Sequence, residues 1–143
     1  MKAQEIAVYR EIQRNTDMAM KAIEALNDKV SNDSLAMQIS RQSLRYSEIY
    51  NEATKHLVES GVDSYRSSYI ADAMLWSGVQ YNTFLNASTG HIAEMMIKGS
   101  NNGIMEMEKV LKHNEGASES TKGLAMELID FEQKNVKRLQ DYL

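Results

Sequence analysis

Apolar side chains recur every three or four residues along most of the chain, which is the spacing of one face of an α-helix. Four segments carry this pattern, over about 4–27, 33–60, 88–113 and 118–142. No proline interrupts them, and each is long enough for a helix of about 38 Å at 1.5 Å per residue. In the second segment the stripe consists of Leu35, Ile39, Gln42, Tyr46, Ile49, Ala53 and then His56 or Leu57.

Polar residues between these segments predict where the helices begin and end. A turn is expected over 27–33 and another over 113–117, and Gly61 is a suitable stop for the second helix. Side chains of Ser, Thr, Asn and Asp accept hydrogen bonds from the free N–H groups of a first helical turn. The residues placed to do this are Asn32 or Asp33, Ser88 or Thr89, and Ser118.

The connection over 61–87 decides the topology. We expect one all-α domain over 1–143, a four-helix bundle in which this connection carries a short helix near 70–85 and leaves the second and third long helices parallel. Trp76 is expected to anchor the short helix to the bundle. In the alternative division, 70–98 is the third long helix and the chain breaks at 99–103, which gives an up-down bundle with an extra short helix.

Composition and charge exclude several classes of protein. The chain has 143 residues, no cysteine and a net charge of −4, so disulfides and thiolate metal sites are excluded. Acidic and basic residues are interspersed, and we expect no nucleic-acid partner because no basic face is concentrated. The first residues carry no apolar run and no segment is apolar enough to span a bilayer. We therefore expect a cytoplasmic protein without a membrane partner.

Several polar residues lie on the apolar stripes. Antiparallel pairing of the helices places Thr16 level with Tyr46, and Glu132 opposite Gly99. A mid-bundle polar layer is therefore expected, with a carboxylate whose pKa burial would raise. This layer is interpreted either as a hydrogen-bonded core acid or as a pocket for a metal or small molecule. Its expected members are Thr16, Gln42, Tyr46, Glu132 and Asn135.

Two further groups pair carboxylates with histidine. Glu5, Glu52 and His56 are expected near one end of the bundle, where the i, i+4 spacing of Glu52 and His56 suits a salt link or two metal ligands. His91 and Glu94 lie three apart in a first helical turn. Together with Glu132, these are the candidate ligands for iron, manganese or zinc. The alternative is a structural role, as ion pairs and helix-end charges without any cofactor.

The segment STGHIAEMMIKGS, from Ser88 to Ser100, together with the expected crossover, resembles the ferritin-like superfamily. More specifically, it is similar to small uncharacterised ferritin-like proteins of Gram-positive bacteria. The di-iron sites of that superfamily use Glu-x-x-His pairs, and none occurs in this chain. His91 and Glu94 stand in the reverse order, and Glu52 and His56 are one residue too far apart. The resemblance therefore implies the fold and not iron oxidation.

The sequence contains no nucleophile–base–acid pattern, so no enzymatic function is favoured. Three functional hypotheses remain open. The first is a non-catalytic structural or interaction module that self-associates as a homo-oligomer. The second is a metal-binding or redox-stress protein with a degenerate ferritin-like site. The third is a pocket for an apolar or amphipathic small molecule between the helices. Self-association would use apolar residues outside the main stripes, namely Val8, Met18, Leu44, Tyr50 and Trp76.

Overall fold

The computed structural model describes residues 1–63, 65, 72–76, 78–79 and 86–143. Within these residues every regular element is helical, so the prediction of an all-α helical bundle is confirmed. Residues 72–76 and 78–79 of the connection are also helical. The long helices are α1 (Ala3–Leu26), α2 (Asp33–Glu59), α3 (Thr89–His113) and α4 (Glu119–Leu139), and a 3-10 turn follows at Gln140–Tyr142.

Local hydrogen bonds fix the helix ends. The Asn32 side chain accepts from the Leu35 backbone N–H at 2.9 Å, which caps α2. The hydroxyl oxygens of Ser88 and Ser118 do the same for α3 and α4, each at 3.3 Å. Gly61 has a φ of +70° directly after α2, a conformation that glycine adopts without the steric penalty of a Cβ.

Contacts at the helix ends give the direction of each helix. The Gln4 side chain of α1 accepts from the backbone N–H of Gly116 after α3, at 2.6 Å, so α1 and α3 are antiparallel. Ser34, at the start of α2, contacts the Tyr142 hydroxyl at 2.6 Å. A Cβ atom on Gly90, at the start of α3, would lie 3.5 Å from the Leu143 backbone and 3.7 Å from the carbonyl oxygen of that same Tyr142. The starts of α2 and α3 therefore lie at one end of the bundle, and these two helices run parallel.

The start of α3 excludes the alternative division of the chain. Residues 86–88 are not helical and 99–103 lie inside α3, so a long helix over 70–98 with a break at 99–103 is wrong. The reason is local: Ser88 caps a helix that begins at Thr89, and glycines at exposed or half-exposed positions of a packed helix weaken it without ending it.

The connection is held against α1 by apolar and charged contacts. Leu75 and Val79 pack against the core, and the Lys21 ammonium contacts Asp72 Oδ1 at 3.0 Å. Trp76 does not anchor this segment, because it is 53% exposed. Residues 75 and 79 share one helical face, and Trp76 lies about 100° around the axis from Leu75. The remainder of the predicted short helix lies outside the described residues.

The core follows the predicted stripes closely. The first six stripe residues of α2 are buried, and of the two alternatives for the seventh Leu57 is buried and His56 is half-buried. One expectation is wrong: Val8 is fully buried, so it is not available to a second subunit. None of the described helices combines the length and hydrophobicity that crossing a bilayer requires.

Candidate functional site

A polar layer crosses the middle of the bundle. The five residues expected there are each at most 5% exposed, although their side chains carry carboxyl, hydroxyl and amide groups. Buried polar groups of this kind need hydrogen-bond partners to offset the loss of water. These residues are Thr16, Gln42, Tyr46, Glu132 and Asn135. The Thr16 hydroxyl donates to the backbone oxygens of Ile12 and Gln13 in its own helix, so its place in the layer stays a prediction.

The Glu132 carboxylate is the centre of this layer. The Tyr46 hydroxyl, from α2, donates a short hydrogen bond to Glu132 Oε1. Asn135, three residues after Glu132 on α4, donates its Nδ2 to the same oxygen at 3.5 Å and to the Tyr46 hydroxyl at 3.3 Å. The Ser100 side chain of α3 lies beside the carboxylate and helps to lower its pKa. Two helices therefore donate hydrogen bonds to the acid, and a third packs against it.

Burial changes the acidity of both partners. Desolvation raises the pKa of Glu132 from its ordinary value of 4.5 to about 7, against the hydrogen bonds from Tyr46, Ser100 and Asn135, which lower it. The pKa of the Tyr46 hydroxyl rises well above its ordinary value, first through burial and then through the charge of Glu132. Across the described part of the chain, no lysine, arginine or histidine forms an ion pair with Glu132.

The residues opposite Glu132 differ from the expectation. The acid faces Gly103 and Ser100 of α3, and not Gly99. A Cβ atom on Gly103 would lie 3.2 Å from Glu132 Oε2 and 3.3 Å from Asn15 Oδ1, whereas one on Gly99 would meet nothing within 4 Å. Because Gly103 has no side chain, the Glu132 carboxylate and the Asn15 amide can approach α3 closely.

A cavity of about 530 Å³ lies beside this layer. It is bounded by α1, α3 and the helical residues of the connection, and Gln42, Tyr46, Ser100 and Glu132 line its polar side. Much of the remaining lining is apolar. That apolar wall includes Met18, Ala22, Ile23, Leu75, Met95 and Met96.

One polar group on the cavity lacks a partner. Gln42 is 2% exposed and lines the cavity, and its Nε2 is buried with no hydrogen-bond acceptor among the described residues. An unsatisfied buried donor costs about 1–3 kcal/mol unless something else accepts from it. A molecule entering the cavity is one such acceptor.

The first histidine group is not assembled as expected. His56 stacks on the Tyr9 ring, with centroids 4.8 Å apart and planes 13° apart, so its neighbour is Tyr9 and not Glu5. The pKa of Glu5 is lowered by a hydrogen bond from the Lys2 backbone, which places that carboxylate at the free N-terminus of α1. Glu52 is exposed. The expected register of α1 against α2 is wrong because Tyr9 and Gln13, not Glu5, lie level with the last turn of α2.

The second group is a surface ion pair. His91 Nδ1 lies 4.0 Å from Glu94, and the same carboxylate pairs with Lys98 at 3.1 Å. The Lys98 contacts lower the pKa of Glu94. No set of three or more His, Cys, Asp or Glu side chains within the described ranges is placed to hold a metal ion. Binding of iron, manganese or zinc thus stays a prediction.

Sequence reasoning missed three polar residues of this region. Gln13 is fully buried, donates to Thr54 Oγ1 and accepts from the Tyr65 backbone, both at 2.8 Å. Asn15 and Ser100 line the cavity. A signal was present for two of them, because Gln13 and Ser100 continue the three- and four-residue spacing of their stripes.

Comparison with known proteins gives no relative from which a site could be transferred. No protein-family model matches the chain, and no curated protein or solved structure is similar enough to count as a match. The functional interpretation is therefore built on this chain's own residues.

Proposed function

We propose that this chain is a non-catalytic helical bundle that binds a small amphipathic molecule in the cavity between α1 and α3. The observation that carries the proposal is a cavity of about 530 Å³ with an apolar wall and a buried polar side formed by Glu132, Tyr46 and Gln42. Binding sites for small molecules commonly enclose about 300–1,000 Å³ and combine mostly apolar lining with a few fixed polar groups.

The composition of the wall supports an adaptable apolar contact. Met18, Met95 and Met96 line the cavity, and methionine side chains are flexible and polarisable, so they fit ligands of different shape. The cavity volume of about 530 Å³ lies within the range of small-molecule sites, so the expected ligand is of metabolite size.

The polar side supports binding rather than chemistry. Glu132 is the one buried carboxylate among the described residues, and it already accepts hydrogen bonds from Tyr46 and Asn135. A general acid or base must exchange a proton with a substrate within hydrogen-bond reach and usually works beside a second catalytic group. We therefore place Glu132 in recognition of a ligand.

Two helix glycines offer a matched test. Gly99 lines the cavity and Gly123 does not, while a Cβ at either position meets nothing within 4 Å. Leucine at either site should raise helix stability slightly, because glycine is about 0.8–1.0 kcal/mol less favourable than alanine in a helix. Only Gly99→Leu should fill the cavity.

Calorimetric titration with phenylbutylamine, phenylbutanol and phenylbutyrate checks this. We expect at least one probe to bind the unmodified chain at one site with a Kd of about 1 mM or tighter. Gly99→Leu should weaken that binding at least about tenfold, and Gly123→Leu should leave it unchanged. Absence of binding for all three probes, or an equal loss in both variants, would overturn the proposal.

The ferritin-like arrangement is proposed on separate grounds. Its support is the parallel course of α2 and α3, which follows from the contacts of Ser34 and Gly90 with Tyr142. Bundles with one long crossover connection have this topology. The metal-binding alternative also remains a hypothesis, and elemental analysis of protein prepared without chelator tests it, with substoichiometric iron, manganese and zinc as the contradicting result.

Self-association is a second candidate function, favoured by two exposed apolar residues on α2. Met37 and Leu44 are 58% and 64% exposed, and residues seven apart lie on the same face of a helix. Burying such a stripe against a second copy would form a symmetric contact. Sedimentation velocity should show a dimer that Leu44→Glu dissociates. A monomer at high protein concentration would contradict this.

A further inference from the structure

Two acceptor oxygens border Gly103. A Cβ atom on that glycine would lie 3.2 Å from Glu132 Oε2 and 3.3 Å from Asn15 Oδ1, so both oxygens pack beside the Gly103 backbone. Both residues line the cavity. Tyr46 and Asn135 donate to the other carboxylate oxygen, Oε1, so Oε2 is the oxygen that faces Asn15 and α3.

The orientation of the Asn15 amide is fixed by its nitrogen. Asn15 Nδ2 donates to the Glu11 backbone oxygen at 3.1 Å and to Glu11 Oε1 at 2.8 Å, and it contacts Met107 Sδ at 3.6 Å. These partners hold the nitrogen side of the amide in place. The oxygen therefore points toward Glu132, and no donor from the described residues contacts it. Two acceptors that line the same part of the cavity favour a group with several donors and no acceptor.

The charges around these oxygens have the same preference. Glu106 and Arg14 also line the cavity. The Arg14 guanidinium pairs with Glu11 at 3.0 Å and with Glu106 at 3.7 Å, and Glu106 also pairs with Lys109 at 3.3 Å. Of the two carboxylates that line the cavity, Glu132 forms no ion pair with a described residue, and an uncompensated negative charge attracts cations and repels anions.

We propose that the ligand is an organic amine, whose ammonium group donates hydrogen bonds to Glu132 Oε2 and Asn15 Oδ1 and whose apolar part lies along the methionine and alanine side chains of the wall. This inference rests on the proposed function. An ammonium group has the required donors and no acceptor, whereas an alcohol has a single donor and cannot serve both oxygens. The largely apolar wall favours an organic cation over a bare metal ion, which needs more oxygen ligands than these two residues supply.

Gln42 indicates one further feature of the expected ligand. Its unpartnered Nε2 belongs to the helical turn before Tyr46 on α2, and residues four apart have neighbouring side chains. An ammonium group cannot accept from this nitrogen. An amine that also carries a hydroxyl or carbonyl oxygen is therefore expected to bind more tightly than a plain alkylamine.

The three matched probes separate this inference from the proposed function. They share an apolar phenylbutyl part and differ in carrying a positive, neutral or negative end. By calorimetry at pH 8, phenylbutylamine should bind the unmodified chain at least about tenfold more tightly than phenylbutanol. Phenylbutyrate should bind most weakly. Glu132→Gln should remove the advantage of the amine and leave the affinity for phenylbutanol unchanged, which also shows that the variant is folded.

A surface acid provides the control. Glu127 lies on α4 but pairs with Arg45 and does not line the cavity, so Glu127→Gln should not change the affinity for phenylbutylamine. Asn15→Leu should weaken amine binding and spare the alcohol. If amine and alcohol bind equally, or if the two glutamate variants lose amine binding equally, the amine inference is wrong while the binding function stands. If no probe binds, the proposed function itself fails.

Discussion

The Tyr46 hydroxyl donates a hydrogen bond to the Glu132 carboxylate, a contact between side chains 86 residues apart in sequence. It joins α2 to α4 inside the core, where an apolar pair would avoid the cost of removing a carboxylate from water. The acid has no basic partner among the described residues, so the pair is poorly explained by stability alone. We propose that the acid serves ligand binding in the cavity beside it.

Replacing Glu132 with glutamine should stabilise the protein at high pH. The folded-state pKa of Glu132 is raised from 4.5 to about 7, so the folded protein holds a proton between these values that the unfolded chain has released. Stability therefore falls as pH rises through this window and stays low above it. At pH 8 we expect Glu132→Gln to unfold with a free energy about 1–3 kcal/mol higher than the unmodified chain.

Urea unfolding at pH 4 and pH 8 measures this effect. At pH 4 Glu132 is protonated in both the folded and the unfolded state. Glu132→Gln should therefore not raise the free energy of unfolding at this pH through removal of the buried charge. Glu127→Gln is the control because that acid is exposed, and it should show no such pH dependence. An equal effect of Glu132→Gln at both pH values would mean that the carboxylate is not desolvated.

Removing the Tyr46 hydroxyl should lower the free energy of unfolding more when Glu132 is charged than when it is neutral. Hydrogen bonds to a charged acceptor contribute about 1.5–3 kcal/mol and those between neutral groups about 0.5–1.5 kcal/mol. Tyr46→Phe should therefore destabilise the protein more at pH 8 than at pH 5, and less in a Glu132→Gln background. Tyr142→Phe removes an exposed contact with Ser34 and should cost little at either pH. The prediction fails if the loss in Tyr46→Phe does not depend on pH.

Gln13 should hold the chain after α2 against α1. It is fully buried between Thr54 and the Tyr65 backbone. Gln13→Leu leaves the Tyr65 N–H without its acceptor, whereas Thr54 keeps its bond to the Tyr50 backbone oxygen. The substitution should destabilise the protein by about 1–3 kcal/mol. Hydrogen exchange at the Tyr65 amide should become faster, because that N–H loses its acceptor. Gln133→Leu, at an exposed position of α4, is the control. Unchanged exchange at Tyr65 would contradict the contact.

Two glycines should respond to alanine with opposite signs. Gly61 has a φ of +70°, where an L-residue is disfavoured by roughly 1–2 kcal/mol, so Gly61→Ala should destabilise. Gly123 lies inside α4 with open space around its Cβ position, and Gly123→Ala should stabilise by about 0.5–1 kcal/mol. Thermal unfolding of both variants measures the difference. A gain in stability for Gly61→Ala would refute the helix-end assignment.

Local sequence signals were sufficient to predict the helices and part of the polar layer. Ser88 and Ser118 cap helices because the capping bond involves only nearby residues, and Tyr46 and Glu132 stand on their stripes at helical spacing. Local signals could not predict which residues of one helix lie opposite which residues of its neighbour. Glu132 faces Gly103 instead of Gly99, a shift of about one turn that depends on packing across the whole bundle. The cavity and the partners of Gln13 arise from the same long-range packing.

The pKa of Glu132 is the most direct measure of the central claim, that a buried, unpaired acid forms the polar side of a ligand cavity. NMR titration of its side-chain carboxyl carbon should give a pKa near 7 in the free protein. Saturating phenylbutylamine should lower that pKa, because a bound cation favours the charged form. A pKa near 4.5 in the free protein, unchanged by the amine, would contradict the account.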